Sequence, residues 1–251
     1  MANMIERLRA DREAAKSKGS NGFLKLPQED CEIKIRVLPA VNYFSANGKV
    51  NKEADLFYKR FGVHWINGKR FLCPKVEGDD CPICETVNEL YASGTEEDVA
   101  IAKDIRMKKR HWVNIVELNE DGTYATTPKV YEFGVKLFDT MLDYCLDEDY
   151  DNISDPDVGY DFKIIKKKKD GFPNYDSSKP VKTSTAIDAT ALKDLLGKAT
   201  DIHESIEKQM QTYDQIKAGL DLTDVPETEL HESTDVNQDD LLKQLNSKLG
   251  D

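Results

Sequence analysis

The alternation of apolar and polar residues predicts strands in the first two thirds of the chain. From Glu32 to Leu38 apolar residues occupy every second position until Pro39 ends the run, which is the pattern of a strand with one buried face. Further strands are predicted at Phe57–Phe61, Trp112–Leu118, Lys129–Phe133 and Phe162–Lys167. Several strands interrupted by short helices indicate an α+β fold, a compact Greek-key barrel with insertions.

Helical periodicity separates and follows these strands. Thr95–Arg110 has a Thr cap, acidic residues in its first turn and a basic end, so both ends suit the helix dipole. Three more helices are predicted at Gly134–Tyr144, Ile187–Lys198 and Ile202–Lys217. Met4–Lys16 predicts a short helical arm, for which a disordered leader is the alternative.

The end of the chain loses this periodicity and becomes acidic. Asp221–Gln238 is predicted to be a disordered linker. Asp239–Leu249 carries leucines on one helical face, which indicates either a peptide that folds on a partner or a terminal helix packed on its own domain.

The net charge of −12 is unevenly distributed. Met141–Asp161 contains eight carboxylates and no Lys or Arg, and Asp221–Asp251 contains nine carboxylates and two lysines. The rest of the chain has 30 acidic and 33 basic residues. A mildly basic body with an acidic tail allows the tail to compete with a polyanion for the same surface.

One stretch has the spacing of a metal site. His64, Cys73, Cys81 and Cys84 form the pattern His-x8-Cys-x7-Cys-x2-Cys, and three sulfurs with one imidazole complete a tetrahedron around one structural zinc ion. His111 is a second candidate for the imidazole. A closed coordination sphere leaves no position for a catalytic water. The zinc would therefore stabilise the fold and catalyse no hydrolysis.

Basic residues cluster beside aromatic residues at three places. The clusters are Arg106–Arg110 before Trp112, Lys163–Lys169 before Phe172 and Tyr175, and Lys59, Arg60, Lys69 and Arg70 around Phe57–Phe71. Cations that follow phosphates and rings that stack on bases are typical of proteins that bind single-stranded nucleic acid. A solvated strand end and a core aromatic residue are the alternative interpretations for each cluster taken alone.

Short motifs along the chain occur in an order that is typical of one family. They are Asn21-Gly22-Phe23, Ile35-Arg36-Val37-Leu38-Pro39, His64 to Cys84, Trp112-Val113-Asn114-Ile115, Phe133-Gly134-Val135-Lys136, Gly171-Phe172-Pro173-Asn174-Tyr175-Asp176 and Asp239-Asp240-Leu241-Leu242. In order and spacing the chain resembles the single-stranded DNA-binding proteins of T-even-type bacteriophages.

This resemblance implies an OB-type five-stranded barrel with an inserted zinc subdomain. The implied organisation is an N-terminal arm for cooperative self-association (1–20), a DNA-binding core (21–200) with a zinc subdomain at about 57–110, a helical extension (201–220) and an acidic tail for replication and recombination proteins (221–251). The resemblance places the metal ligands at His64, Cys73, Cys81 and Cys84. Together with the basic clusters, it predicts DNA contacts at Arg106, Lys108, Lys109, Arg110, Trp112, Phe138, Lys166, Lys168, Phe172 and Tyr175.

The predicted function is sequence-non-specific coating and protection of single-stranded DNA in phage replication, recombination and repair. A zinc deaminase also pairs a His with Cys-x-x-Cys, but it needs a Glu two positions after the His, where this chain has Ile66. We therefore expect no enzyme. A zinc-ribbon interaction module without DNA affinity remains the alternative. No apolar run reaches the length of a membrane span, so we expect a cytoplasmic protein of the infected host cell.

Overall fold

The computed structural model describes residues 22–150 and 152–221. The strands are β1 (Cys31–Val37), β2 (Tyr58–Ile66), β3 (Lys69–Leu72), β4 (Lys108–Glu117), β5 (Lys129–Gly134), β6 (Phe162–Lys169), β7 (Phe172–Asn174) and β8 (Lys179–Pro180). The helices are α1 (Pro82–Ser93), α2 (Glu96–Ile105), α3 (Val135–Cys145), α4 (Ala189–Lys198), α5 (Ile202–Gln209) and α6 (Tyr213–Asp221). The predicted mixture of helices with an antiparallel sheet is confirmed.

The chain divides into two units, and β2 and β4 each pass from one unit into the other. The first unit contains the described residues up to Lys59 together with His111–Ser205. The second unit contains Arg60–Arg110 and the residues from Ile206 onward.

The sheet of the first unit is organised around β1. β1 pairs antiparallel with β4 on one side and with β6 on the other, and β6 also pairs with β7 and β8. β5 lies against β4. The core beneath this sheet contains Ile35, Val37, Val113, Ile115, Phe133, Phe138, Phe162 and Ile164. The strands form because β-branched and aromatic residues fill every position that faces this core.

Arg36 corrects the expectation that the polar residues of β1 face solvent. Its side chain is fully buried, and Nη2 donates to the carbonyl of Asp155 at 2.7 Å while Nη1 lies 3.7 Å from the carboxylate of Asp161. Tyr124 donates to the same carboxylate at 2.8 Å. A buried charge requires a partner. The acidic segment Met141–Asp161 provides two for this guanidinium, the carbonyl of Asp155 and the carboxylate of Asp161.

The second unit has its own hydrophobic core. α1 and α2 pack on the β2–β3 hairpin, and the core contains Ile66, Phe71, Ile83, Leu90, Ile101 and Ile105. α6 completes this core with Ile216 and Leu220. Gly219 lies so close to Phe71 that an added Cβ would be 3.0 Å from the ring. The absence of a side chain at this position therefore allows α6 to approach the hairpin.

Two predicted helices differ from the observed ones. α2 ends at Ile105 because Arg106 is extended (ψ 150°), so the basic residues from Lys108 onward begin β4 instead of ending the helix. The segment predicted as Ile202–Lys217 is two helices. Thr212 begins the second one, since its backbone N–H donates to Gln215 at 2.9 Å and its hydroxyl accepts from the N–H of Gln215 at 3.3 Å, a capping box.

Several predicted segments lie outside the described residues. They are the helical arm at Met4–Lys16, the acidic linker after Asp221 and the docking peptide at Asp239–Leu249. None of the helices in the two described ranges combines the length and the apolar character that crossing a membrane requires.

Candidate functional site

Four side chains converge in the second unit on one point. The Sγ atoms of Cys73, Cys81 and Cys84 and a ring nitrogen of His64 all lie within 4.8 Å of one another. Cys73, Cys81 and His64 are buried, and Cys84 is half-buried. The cluster forms part of the hydrophobic core of its unit. Its donor set could hold one metal ion, and three sulfurs with one imidazole are consistent with zinc.

The β2–β3 hairpin brings His64 and Cys73 together. Its turn is Asn67-Gly68, where both residues have positive φ (50° and 73°) as a type I′ turn requires. This turn pairs His64 with Phe71, and Cys73 follows β3 with its N–H donating to the carbonyl of Gly62 at 2.9 Å. The turn therefore sets the register that places an imidazole and a thiol at the same end of the hairpin.

The start of α1 supplies the other two sulfurs. Gly78 has a φ of +102°, which turns the chain back before Cys81. Cys81 is the N-cap of α1, Pro82 is its first residue and Cys84 lies in its first turn. The backbone N–H of Cys84 also donates to the sulfur of Cys81. The N-terminus of a helix stabilises negative charge, so this position favours the thiolate form that binds metals.

The orientation of the His64 ring fits a metal ligand. Nδ1 donates to the carbonyl of Ile105 at 2.7 Å, which leaves Nε2 facing Cys81 at 3.6 Å and Cys84 at 3.5 Å. A backbone carbonyl on the second ring nitrogen is the usual partner of a metal-bound His. A tetrahedral zinc with standard bond lengths separates its nitrogen and sulfur ligands by roughly 3.6 Å. The observed separations match this value.

The distance between two of the sulfur atoms is also consistent with a shared metal ion. Cys73 Sγ and Cys84 Sγ are 3.5 Å apart, against roughly 3.8 Å between sulfurs around a tetrahedral zinc. His64 is the imidazole of this cluster. His111, the alternative ligand, instead stacks on Phe138 in the first unit, with ring centroids 3.7 Å apart and planes 4° from parallel.

The protonation of the cluster shows how closely its members interact. Hydrogen bonds to Cys81 and Cys84 raise the pKa of the Cys73 thiol, and the bonds from Cys73 and Cys84 lower the pKa of Cys81. Burial lowers the pKa of His64, but its bonds to Cys81 and Cys84 outweigh burial and raise that pKa to about 9. The thiols and the imidazole therefore share a small number of protons. A bound metal cation would displace these protons.

The predicted DNA-contact residues are divided between the two units. The basic run belongs to the second unit, where Arg106, Lys108 and Lys109 are exposed and Arg110 is half-buried. Arg110 donates from Nη1 to the carbonyl of Lys109 at 2.9 Å. The remaining six predicted residues belong to the first unit.

Two of the predicted stacking rings are buried. Trp112 is 2% exposed, and its Nε1 donates to the carboxylate of Glu132 at 2.9 Å. Phe23 meets the edge of the same indole at a centroid distance of 4.9 Å. Phe138 is also buried, between the stacked ring of His111 and the edge of Tyr58. In this structure neither ring presents a face to solvent.

The hairpin between β6 and β7 presents the exposed members of the set. Asp170 and Gly171 form its turn with positive φ (53° and 82°), and the pairing places Lys169 opposite Phe172. Phe172 is 75% exposed, and Lys168 is exposed on the partner strand. We call the segment Lys167–Asn174 the basic hairpin.

Lys166 and Tyr175 lie at the base of this hairpin and are less accessible. Lys166 is 8% exposed, and its ammonium donates to the carbonyls of Pro27 at 2.5 Å and Gln28 at 3.1 Å. Tyr175 is half-buried against the core of the first unit, and burial raises the pKa of its hydroxyl. Lys166 and Tyr175 thus hold the hairpin to the body of the unit.

Two aromatic positions that are absent from the ten predicted contacts stand out in the structure. Phe23 covers the edge of Trp112 and was read only as part of a motif. Trp65 belongs to the third basic-aromatic cluster, for which packing in the core is the alternative interpretation, and it is 42% exposed. Alternation along β2 places Trp65 on the face opposite His64, but Phe61 and Val63 share that face and are fully buried, so the exposure of Trp65 comes from its place beside the turn.

The fold and the cluster define a mixed α/β protein with a buried, sulfur-rich cluster that could hold one metal ion. A family profile described as "gp32 DNA binding protein like" matches residues 29–219. This range includes the four cluster residues and all ten predicted contact residues. The chain belongs to this family.

Two relatives in phages are similar to the chain over part of its length. Each is named single-stranded DNA-binding protein, one from Enterobacteria phage T4 and one from Enterobacteria phage T2. Each is 28% identical over 158 residues, which cover 57% of this chain and 51% of the relative. The chain therefore spans about half the length of the curated relatives that it matches.

Proposed function

We propose that the chain binds single-stranded DNA without strong sequence preference and coats it during phage replication, recombination and repair in the infected cell. The observation that carries the proposal is the basic hairpin, where Phe172 is 75% exposed beside Lys168 and Lys169. An exposed ring with flanking cations suits a flexible strand whose bases are free to stack, whereas a duplex hides its base faces. Family membership and the names of the two relatives support the same function.

The proposed body is an OB-type five-stranded Greek-key barrel with one structural zinc ion. The strands around β1 support the barrel, and the compactness of Arg60–Arg110 supports a zinc subdomain at about 57–110. The zinc would be held by His64, Cys73, Cys81 and Cys84. It would cross-link the β2–β3 hairpin to the start of α1, without a position for a reacting water.

The ten predicted residues have different proposed roles. Phe172, Lys168 and the exposed cations Arg106, Lys108 and Lys109 would contact DNA directly. Trp112, Phe138, Lys166 and Tyr175 are buried or half-buried, so we propose that they position neighbouring residues, while Arg110 completes the basic run. Trp112, for example, would support Phe23, whose ring rests on it.

A titration with oligothymidine tests this function. Binding followed by the anisotropy of a labelled oligothymidine should weaken as salt rises, because each phosphate neutralised contributes about −0.7 to the logarithmic salt slope. Phe172→Ala should weaken binding about tenfold or more, as expected for one lost base stack. Leu146→Ala is the matched control, since Leu146 is 76% exposed in the same unit but lies among acidic residues.

The same titration separates the alternative function. A zinc-ribbon interaction module would bind zinc but leave the anisotropy of the oligothymidine unchanged at every salt concentration. A chelator arm tests the role of the metal: we expect weaker DNA binding and a less stable second unit after zinc is removed. Equal weakening by Phe172→Ala and Leu146→Ala would refute the role of the basic hairpin.

The two ends of the chain would supply the partners. We propose that residues 1–20 dock on the next molecule along the DNA and that residues 221–251 recruit replication and recombination proteins when DNA displaces them from the basic surface. Charge supports the second part, because nine of the last 31 residues are acidic. Deletion of residues 222–251 should tighten DNA binding at low salt, and an unchanged affinity would contradict competition by the tail.

A further inference from the structure

The β2–β3 hairpin presents two chemistries on its two faces. His64 faces the metal cluster, so the next residue of the strand, Trp65, projects from the opposite face. Trp65 is 42% exposed, whereas the other tryptophan of the chain, Trp112, is 2% exposed. The indole is thus held at the surface by a strand that the metal site fixes from behind.

One cation shares the face of this indole. Trp65 pairs directly with Arg70 across the hairpin, and directly opposed residues share one face of a sheet. The guanidinium of Arg70 lies 5.2 Å above the centroid of the Phe61 ring, which keeps it on this face. Lys69 pairs with Ile66, so it starts from the opposite face, but it is exposed beside the turn, where its long side chain can reach a strand that passes the hairpin end. We call Trp65, Lys69 and Arg70 the hairpin tip.

The charge around the tip contrasts with the rest of the chain. The chain has 47 acidic residues, yet Leu56–Val76 contains none among its 21 residues and has five basic ones. A segment with a net positive charge and an exposed ring is complementary to a strand of phosphates and bases. An apolar protein partner would gain no binding energy from the absence of acidic residues in this segment.

We infer that the hairpin tip is a further contact for single-stranded DNA, in which a base stacks on Trp65 while Lys69 and Arg70 approach the adjacent phosphates. This inference rests on the proposed function and adds a contact in the second unit to the ten predicted ones. The design repeats that of the basic hairpin: a type I′ turn holds a rigid two-stranded ribbon with an exposed ring near lysines. A rigid ring costs little conformational entropy when a base stacks on it.

Fluorine NMR on the full chain labelled with 5-fluorotryptophan tests the contact directly. The two tryptophans give two resonances, and Trp65→Phe assigns them. The Trp65 resonance should move as oligothymidine is added, with a midpoint equal to that of the anisotropy titration. This readout uses the native side chain, so it does not depend on the stability of a truncated variant.

Affinity measurements provide the second readout. Trp65→Ala should weaken oligothymidine binding about tenfold, whereas Tyr91→Ala, at a position 40% exposed on α1 of the same unit, should leave it within twofold. Lys69→Gln should reduce the logarithmic salt slope by about 0.7. Lys103→Gln, an exposed lysine of α2, is its matched control.

The outcomes distinguish the two proposals. If the unsubstituted chain leaves oligothymidine unbound, the proposed function fails and this inference fails with it. If the chain binds but the Trp65 resonance stays in place, or if Trp65→Ala and Tyr91→Ala bind alike, only the hairpin tip is refuted. Movement of the resonance with protein concentration in the absence of DNA would assign the tip to self-association and overturn the inference.

Discussion

Replacement of Cys84 by Ser is expected to separate the stability of the second unit from that of the first. Cys84 Sγ lies 3.5 Å from Cys73 Sγ and 3.5 Å from His64 Nε2, so it contributes two short edges of the ligand tetrahedron. A Ser hydroxyl does not ionise at neutral pH and is a poor zinc ligand. Three donors would then remain, two of them buried sulfurs.

Linkage gives the size of the effect. With free zinc at 1,000 times the dissociation constant, binding adds about 4.1 kcal/mol to the free energy of unfolding. Removal of a residue that only hydrogen-bonds to a metal ligand weakens metal binding by up to about 100-fold. Removal of a ligand itself should therefore weaken zinc binding by at least about 100-fold. The contribution of zinc then falls to about 1.4 kcal/mol, a destabilisation of about 2.7 kcal/mol. For a unit of this size the Tm should fall by roughly 10–20 °C.

Thermal unfolding in a zinc buffer, with the bound metal counted on the same samples, measures this effect. Cys145→Ser is the matched control, because Cys145 is a half-buried thiol of the first unit. Burial raises the pKa of Cys145 to about 11, so it is a neutral thiol outside the cluster. We expect this variant to keep its zinc and to lose about 1 kcal/mol or less.

The reasoning would be refuted by a Cys84→Ser protein that keeps one zinc per chain and the Tm of the unsubstituted chain. It would also be refuted if a chelator left the unfolding of the unsubstituted chain unchanged. The first outcome would show that Cys84 is not a required ligand, and the second would mean that the four side chains bind no metal that contributes to stability.

Three further predictions concern stability. Gly62→Ala should cost about 1–3 kcal/mol in chemical denaturation, because its Cβ would clash with Met107 and lie 2.8 Å from a methyl of Val76; a stability equal to that of the unsubstituted chain would contradict this packing. Thr95→Ala should cost about 1 kcal/mol, since Thr95 Oγ1 accepts from the N–H of Asp98, in the first turn of α2, at 3.1 Å; Thr95→Ser should restore most of it. Burial raises the pKa of Asp161, so as pH falls the folded chain takes up this proton at a higher pH than the unfolded chain does. The free energy of unfolding of the unsubstituted protein should therefore increase relative to that of Asp161→Asn as pH falls toward the ordinary Asp range. The opposite slope would mean that attraction to the buried guanidinium outweighs burial.

The convergence of the four cluster residues could be predicted from the sequence because it depends on local geometry. The Asn67-Gly68 turn, the positive φ of Gly78 and the start of a helix at Cys81 all lie within the same short stretch. Each is fixed by neighbouring residues, so spacing alone predicts that four ligands converge. Five of the eight described strands could be predicted in the same way, with ends that differ by up to five residues, whereas β3, β7 and β8 are too short to show an alternating pattern and were not predicted.

The burial of particular side chains could not be predicted from the sequence, because it depends on residues that are far apart in the chain. Arg36 is buried because Asp155 and Asp161 meet it from a segment more than 100 residues away. The pattern of β1 could not distinguish it from an exposed strand residue. Trp112 sits in a strand buried from His111 to Val116, where period-2 alternation is lost and the solvent-facing side cannot be inferred.

The contribution of α6 to the core around the metal cluster has a consequence for the order in which the chain is made. Ile216 and Leu220 belong to that core, although the hairpin and the two helices that they cover end by Arg110. A ribosome must therefore translate about another hundred residues before the second unit can be completed. Expression fragments meant to retain the second unit with its four-residue cluster must extend past Leu220, and fragments that end earlier expose its apolar face.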